Sequence, residues 1–135
     1  MIYAVFDTNV FVSALLTHKT DAATIRVVDA MTLGRITPLY NDEIIAEYND
    51  VMHRSKFPFA PEAADGIVNI VKRRGLCVGR TETDEHFVDA TDMVFYEIAL
   101  SKEGSYLITG NTRHFPKKPI VVTPAEMLEI LKDRQ

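Results

Sequence analysis

Short apolar runs alternate along this chain with longer stretches in which apolar residues recur every three or four positions. The short runs lack the every-other-residue alternation of a half-exposed sheet, which is typical of strands buried on both faces. The predicted strands are Ile2–Phe6, Ile36–Tyr40, Leu76–Gly79, Tyr106–Thr109 and Ile120–Val122. The predicted helices are Thr8–Leu16, Asp21–Leu33, Asp42–Arg54, Pro61–Arg74, Ala90–Lys102 and Ala125–Asp133.

The regular alternation of strand and helix patterns predicts an α/β protein. Gly34 and Gly75 lie just past two helix ends, Asn41 is placed to cap a helix, and Pro61 suits a first turn. Strands separated by helices favour right-handed crossovers and parallel pairing. We therefore expect a three-layer α/β/α sandwich with a mainly parallel central sheet of about five strands. No repeat or linker interrupts the chain, so residues 1–135 are expected to form a single domain.

Composition and charge narrow the classes of function. Apolar residues make up 47% of the chain and charged residues 25%, which is typical of a globular protein. The formal net charge of −4 argues against binding nucleic acid through overall charge. It is compatible with a nuclease, because an acidic centre would take up cations before it accepts a phosphate.

Cysteine usage and hydropathy bear on location. Cys77 is the only cysteine, which excludes an internal disulfide and a cysteine-rich zinc site, and its apolar surroundings predict a place in the core. No stretch reaches the roughly 20 apolar residues of a membrane span, and the first residues carry no pattern of a secretion signal. These features predict a cytoplasmic protein with no membrane partner.

Asp7 follows the first predicted strand without an intervening turn. In parallel sheets ligands bind beyond the carboxyl ends of the strands, which is where Asp7 would lie. A lone buried charge is too costly to serve as core filling. Asp7 is therefore either functional or the N-cap of the helix that follows.

Glu47 borders an apolar helix face. At about 100° of rotation per residue, Ile44, Tyr48 and Val51 share one face of the helix Asp42–Arg54, and Glu47 lies at its edge. A solvated surface acid is the alternative explanation.

Asp92 shares a helix face with Phe95, Tyr96 and Ala99, at spacings of three, four and seven residues. Asp89 is placed to cap the same helix, and an acid in the first turn suits its positive end. Helix capping is thus the competing explanation for both aspartates.

A second strand pattern ends on Thr109 and is followed closely by Asn111. Strand ends and the helix starts that follow them collect at one edge of a parallel sheet, so Asp7, Asp92 and Asn111 are expected there, with Glu47 near if its helix packs close. Clustered carboxylates resist ionisation, and a divalent cation relieves their repulsion. Oxygen ligands without cysteine favour Mg²⁺ or Mn²⁺. Capping explains each acid separately, whereas a metal site explains their common position.

Four segments resemble, in order, the PIN-domain family of metal-dependent ribonucleases, many of which are toxins of bacterial toxin–antitoxin pairs. They are Asp7-Thr-Asn-Val-Phe-Val-Ser, Glu47-Tyr-Asn-Asp-Val-Met, Asp89-Ala-Thr-Asp92 with Phe95 and Ala99, and Tyr106-Leu-Ile-Thr-Gly-Asn111. The ending Asn111-Thr-Arg-His114-Phe115-Pro116 resembles a subgroup with an Asn-x-x-His-Phe-Pro pattern. The resemblance extends from Met1 to about Pro124.

This resemblance implies a set of functional residues. Asp7, Glu47 and Asp92 would be the acidic ligands of Mg²⁺ or Mn²⁺, and Asn111 stands where the family usually has an aspartate. The missing charge at Asn111 favours one well-bound metal ion, with a second recruited by the substrate phosphate. The resemblance also implies auxiliary roles for Asp89, Asn9 and Thr8.

The same resemblance implies an activity and partners. The protein would cleave RNA with a metal-activated water molecule, form a homodimer and bind a cognate antitoxin protein. Arg113, His114 and Lys117 follow the fourth segment closely and are candidates for contacts to the RNA backbone, with a surface loop as the alternative.

Two rival functions remain from the residues themselves. A phosphatase with an aspartate nucleophile typically has a second acid two residues later, where this chain has Asn9. A PIN-like module that binds RNA or protein without cleaving is kept open by Asn111. Phosphate release from a small phosphomonoester with a trapped aspartyl intermediate would favour the phosphatase. Metal-dependent cleavage of single-stranded RNA that is lost in Asp7→Asn would separate the non-catalytic module from the leading hypothesis.

Overall fold

The structure, a computed structural model, describes residues 1–134 of the 135-residue chain. Its strands are β1 (Tyr3–Phe6), β2 (Thr37–Tyr40), β3 (Leu76–Cys77), β4 (Tyr106–Ile108) and β5 (Val121–Val122). Its helices are α1 (Thr8–Leu16), α2 (Ala23–Thr32), α3 (Asp42–Met52), α4 (Pro61–Arg74), α5 (Ala90–Leu100) and α6 (Pro124–Asp133), with a short 3-10 helix at Thr112–His114.

Five parallel strands form one sheet in the order β3-β2-β1-β4-β5. The predicted fold class, a three-layer α/β/α sandwich with a mainly parallel sheet, is confirmed. The central strand β1 has β2 on one side and β4 on the other, and Phe6 at its end lies opposite Ile108 at the end of β4. The residues that follow these two strands, Asp7 and Thr109, are therefore neighbours.

Local signals in the sequence account for several element boundaries. The Asn41 side chain accepts a hydrogen bond of 2.9 Å from the backbone amide of Ile44 and so caps α3. Pro61 occupies the first turn of α4, as predicted. Gly75 is required for a close approach at the end of α4, because a Cβ atom there would lie 2.3 Å from the Val71 carbonyl oxygen.

An aromatic cluster joins the elements around the end of β1. The ring centroids of Phe6 and Phe11 lie 5.2 Å apart, those of Phe11 and Tyr48 5.0 Å, and those of Tyr48 and Phe95 6.0 Å. All four side chains are buried, and they come from β1, α1, α3 and α5. The cluster therefore fixes these elements against one another through apolar packing.

One prediction about the core is wrong. Cys77 is exposed, and the strand predicted as Leu76–Gly79 is only Leu76–Cys77 at the edge of the sheet. The apolar run resembles that of a buried strand, but β3 pairs with β2 alone and Leu76 is 40% exposed. Burial of such a run depends on neighbours that an edge strand lacks on one side.

Within residues 1–134, no helix is long and apolar enough to cross a membrane.

Candidate active site

Asp7 is the most buried acid at the carboxyl edge of the sheet, with 7% of its surface exposed. Its backbone amide donates to the Ile108 carbonyl at 2.9 Å, which continues the pairing of β1 with β4. Its carboxylate accepts a hydrogen bond of 2.7 Å from the Thr109 hydroxyl and one of 3.0 Å from the Asn9 side-chain amide. Burial raises the pKa of Asp7. Hydrogen bonds from the Thr109 side chain and from the backbone of Asn9 and Thr8, together with the charge of His114, only partly oppose that rise.

Asn9 links Asp7 to the loop after β4. Its amide nitrogen donates to Asp7, and its side-chain oxygen accepts from the Gly110 backbone amide at 3.1 Å. This arrangement orients both the carboxylate and the loop. Thr8 is buried, and its hydroxyl has no hydrogen-bond partner among residues 1–134.

Glu47 is placed by its neighbour Tyr48. The Tyr48 hydroxyl donates to the Phe6 carbonyl at 2.5 Å, which ties α3 to the end of β1 beside Asp7. Glu47 is half-buried, and its pKa is raised first by burial and then by the charges of Asp50, Asp89 and Asp7, with Arg54 acting in the opposite direction. The charge of Asp7 thus acts on Glu47, whose helix is tied to the end of β1.

The two aspartates of α5 differ in what they do. The Asp89 side chain accepts a hydrogen bond of 2.8 Å from the Thr91 backbone amide, so it is the N-cap of α5. The Asp92 carboxylate makes no cap contact and lies 3.8 Å from Nδ1 of His114. The capping interpretation therefore holds for Asp89 and leaves Asp92 directed at the site.

The pKa of Asp92 depends on the charges of the other acids. Its pKa is raised from 3.8 to about 6, first by burial, then by the charges of Asp7, Asp89 and Glu47, with His114 acting in the opposite direction. These carboxylates come from the end of β1, from α3 and from the start of α5. Side chains far apart in sequence thus converge on one acidic region.

Asn111 is exposed and begins the 3-10 helix Thr112–His114. Its backbone amide donates to the Thr109 hydroxyl at 3.0 Å, and that hydroxyl in turn donates to Asp7. The backbone of Asn111 therefore belongs to the hydrogen-bonded surroundings of Asp7.

The basic candidates lie beside this region. Arg113, His114 and Lys117 are all exposed, and Nδ1 of His114 lies 3.8 Å from a carboxylate oxygen of Asp92. Arg113 and His114 also border an open cleft of about 540 Å³ that has Asp92 on its wall. Glu85 and Asp89 line the same cleft, so its wall carries acidic as well as basic side chains.

The donor set fits a hard divalent cation. It consists of carboxylate oxygens that crowd one another, together with the unpartnered Thr8 hydroxyl next to Asp7. Oxygen donors of this kind suit Mg²⁺ or Mn²⁺. Within residues 1–134, no three histidine, cysteine, aspartate or glutamate side chains are already arranged at metal-ligating distances. The acids thus share one edge of the sheet without forming a closed set of ligands.

Two features of the site were not predicted from the sequence. Thr109 was noted only as a small polar strand end, yet it is fully buried and donates to Asp7. Glu97 is buried at 5% exposure and paired with Arg80, and the sequence pattern predicts neither its burial nor this pair. A threonine directly after a buried strand was the available signal for Thr109, whereas the sequence carried none for the Arg80–Glu97 pair.

Comparison with known proteins agrees with this architecture. A family model described as PIN domain matches residues 3–113, which is most of the chain. The chain therefore belongs to the PIN domain family. PIN domains are generally nucleases and typically use divalent metal ions, so membership indicates a nuclease-like hydrolase. No curated protein and no solved structure matches the chain. The match ends at Arg113, and the subgroup ending around His114 remains a prediction.

Proposed function

We propose that the protein is a Mg²⁺- or Mn²⁺-dependent endoribonuclease. The observation that supports this proposal best is the interaction of Asp92 with the other acids: burial first, and then the charges of Asp7, Asp89 and Glu47, raise its pKa to about 6. Such repulsion makes the apo site costly, and a bound cation removes the cost. Family membership supports a nuclease and a divalent metal in general terms.

The residues have distinct proposed roles. Asp7, Glu47 and Asp92 hold the cation, and Asn111 contributes a neutral carbonyl oxygen or orients a water molecule. Asn9 keeps the Asp7 carboxylate in place through its 3.0 Å hydrogen bond. When bound, the divalent cation polarises the scissile phosphate and lowers the pKa of a coordinated water.

The cleft beside Asp92 is open, and its lining carries both acidic and basic side chains. Arg113 and Lys117 are exposed cations that suit phosphates on either side of the scissile bond. His114 lies 3.8 Å from Asp92 and can donate to a phosphate oxygen once the carboxylate is engaged by metal.

The test is cleavage of one single-stranded RNA over a titration of Mg²⁺ and Mn²⁺. We expect wild type to cleave internal phosphodiester bonds only when metal is added, and Asp7→Asn to lose the activity. Asp29→Asn is the control, because it removes the charge of an exposed acid on α2, which carries no site residue. Cleavage that continues in EDTA or in Asp7→Asn would contradict the proposal.

A second candidate function is an RNA-binding or protein-binding module without catalysis. It is favoured by the neutral Asn111 and by the absence, within residues 1–134, of a closed set of metal-ligating side chains. RNA that is retained in a binding assay but stays intact with either metal would support this candidate.

We also propose that the protein is the toxin of a toxin–antitoxin pair, acts as a homodimer and is cytoplasmic. Family membership is compatible with an antitoxin partner. Expression alone should then slow growth, and co-expression of the protein encoded next to it should restore growth. Toxicity that persists in Asp7→Asn would show that the effect is not catalytic. Sedimentation equilibrium tests the dimer.

A further inference from the structure

Arg80 connects the two helices that carry Glu47 and Asp92. Its guanidinium lies 2.7 Å from Oε1 of Glu97 on α5 and donates to both carboxylate oxygens of Glu43 on α3, at 3.2 and 3.0 Å. One planar cation thus spans two helices, an arrangement that needs the fork of donors found only in arginine.

The α5 side of this bridge is rigid. The Glu97 side chain is 6% exposed, compared with 30% for Arg80 and 54% for Glu43. Its second oxygen accepts from the Thr83 backbone amide at 3.0 Å, and its backbone carbonyl accepts from the Thr81 amide at 3.2 Å. Both carboxylate oxygens of the buried Glu97 are therefore satisfied, and Arg80 is held in place by α5 and by the loop before it.

The bridge reaches α3 at Glu43, which is close to Glu47 on the same helix. Glu43 precedes Glu47 by one helical turn, so the two side chains project from the same face of α3. A groove of about 450 Å³ separates this part of α3 from α5, with Ile44 and Val94 among its lining residues. The helices are therefore not in continuous contact here, and their spacing depends on specific bridges such as Arg80 and the ring contact between Tyr48 and Phe95.

We propose that Arg80 is a positioning residue that sets the distance between Glu47 and Asp92 and thereby the affinity of the site for a divalent cation. This inference rests on the proposed function, because it takes both acids as metal ligands. Arg80 acts through Glu43 and Glu97, and within residues 1–134 its side chain makes no hydrogen bond to Asp7, Glu47 or Asp92.

Glu43→Gln is the decisive variant. It replaces the charged pairing of Glu43 through both oxygens with at most one neutral hydrogen bond, yet it leaves Arg80 paired with the buried Glu97, so we expect the fold to be retained. Asp50→Asn is the matched control, because it removes a negative charge and an arginine pair from the same helix without touching Arg80. Asp50 is also, after burial, the largest cause of the raised pKa of Glu47. An effect of charge alone would therefore be at least as large in Asp50→Asn.

The measurement is the Kd for Mn²⁺ by calorimetry, together with RNA cleavage over a metal titration. We expect Glu43→Gln to raise the Kd about tenfold, the low end for residues that support metal ligands. The cleavage rate at saturating Mn²⁺ and the melting temperature should stay close to wild type. The Kd of Asp50→Asn should stay within about twofold of wild type.

Arg80 variants give a second line of test. Arg80→Lys should raise the Kd as well, because an ammonium cannot bind both carboxylates in the same way. Arg80→Gln should also lower the melting temperature, since it leaves Glu97 buried without its partner. An unchanged Kd in Glu43→Gln, or an equal change in Asp50→Asn, would overturn the positioning role. If wild type itself neither binds Mn²⁺ nor cleaves RNA, the proposed function fails instead, and the positioning role fails with it.

Discussion

The Thr109 hydroxyl donates a buried hydrogen bond of 2.7 Å to the Asp7 carboxylate, although the two residues are 102 positions apart in the chain. The contact exists because β1 and β4 are parallel neighbours that end in register. It gives the most buried acid of the site a fixed orientation and lowers the cost of its charge.

We expect Thr109→Val to destabilise the protein in a pH-dependent manner. Loss of a donor to a buried carboxylate costs about 1–3 kcal/mol. The hydrogen bond favours ionised Asp7, so the cost is present at pH 7.5 and shrinks as the pH falls and Asp7 takes up a proton. Urea unfolding at pH 7.5 and 4.5 measures it, with Thr37→Val on β2 as control. A cost equal at both pH values would mean that Thr109 acts through the Asn111 amide alone.

Asp92→Asn should stabilise the apo protein at neutral pH. Because the pKa of Asp92 is about 6 in the folded protein and 3.8 as its ordinary value, ionisation opposes folding. The loss of stability caused by ionised Asp92 develops as the pH rises from 3.8 to about 6. Asp92→Asn should therefore raise the free energy of unfolding above this pH range and leave it unchanged below it. The gain in the free energy of unfolding is at most about 3 kcal/mol, and solvent screening of the charges makes it smaller. Thermal unfolding at pH 7.5 and 4 tests this.

Asp89→Ala provides the contrast to Asp92→Asn on the same helix. Asp89 caps α5, so its removal should destabilise the protein by about 1 kcal/mol. If Asp92→Asn also destabilised the protein at pH 7.5, the Asp92 carboxylate would stabilise the fold, and repulsion by the neighbouring acids would not be its main effect.

The affinity for Mn²⁺ should increase with pH over the range in which Asp92 loses its proton. A cation competes with the proton on this carboxylate, whose pKa is about 6. For Asp92 alone, the ionised fraction rises about fourfold between pH 5.5 and 7.5, and the Mn²⁺ Kd should fall by the same factor. Calorimetry at the two pH values measures it. Asp92→Asn should bind Mn²⁺ weakly and lose this dependence; an unchanged pH dependence in the variant would assign the proton to another group.

Asn111→Asp should raise both the metal affinity and the cleavage rate at limiting metal. The amide offers a neutral oxygen, whereas an aspartate adds the negative charge that hard cations favour. Asn69→Asp is the control, because it adds the same charge at an exposed position on α4. A metal titration of cleavage compares the two with wild type. If Asn111→Asp requires as much metal as wild type, Asn111 is a turn residue that does not face the site.

The sequence by itself determined the alternation of strands and helices, the cap at Asn41 and the position of Asp7 after a buried strand. These properties depend on local periodicity and on backbone hydrogen bonds that a few neighbouring residues satisfy. The ordered segments that resemble PIN domains also indicated the family that the match over residues 3–113 shows.

Only the tertiary structure decided which side chains meet. Local patterns do not encode strand order, so they could not show that Cys77 lies on an exposed edge strand or that Thr109 reaches Asp7. A charged residue has the same local pattern whether it is solvated or buried, and burial is tolerated only where a partner compensates the charge. For Glu97 that partner is Arg80, which comes from a loop 17 positions earlier in the chain.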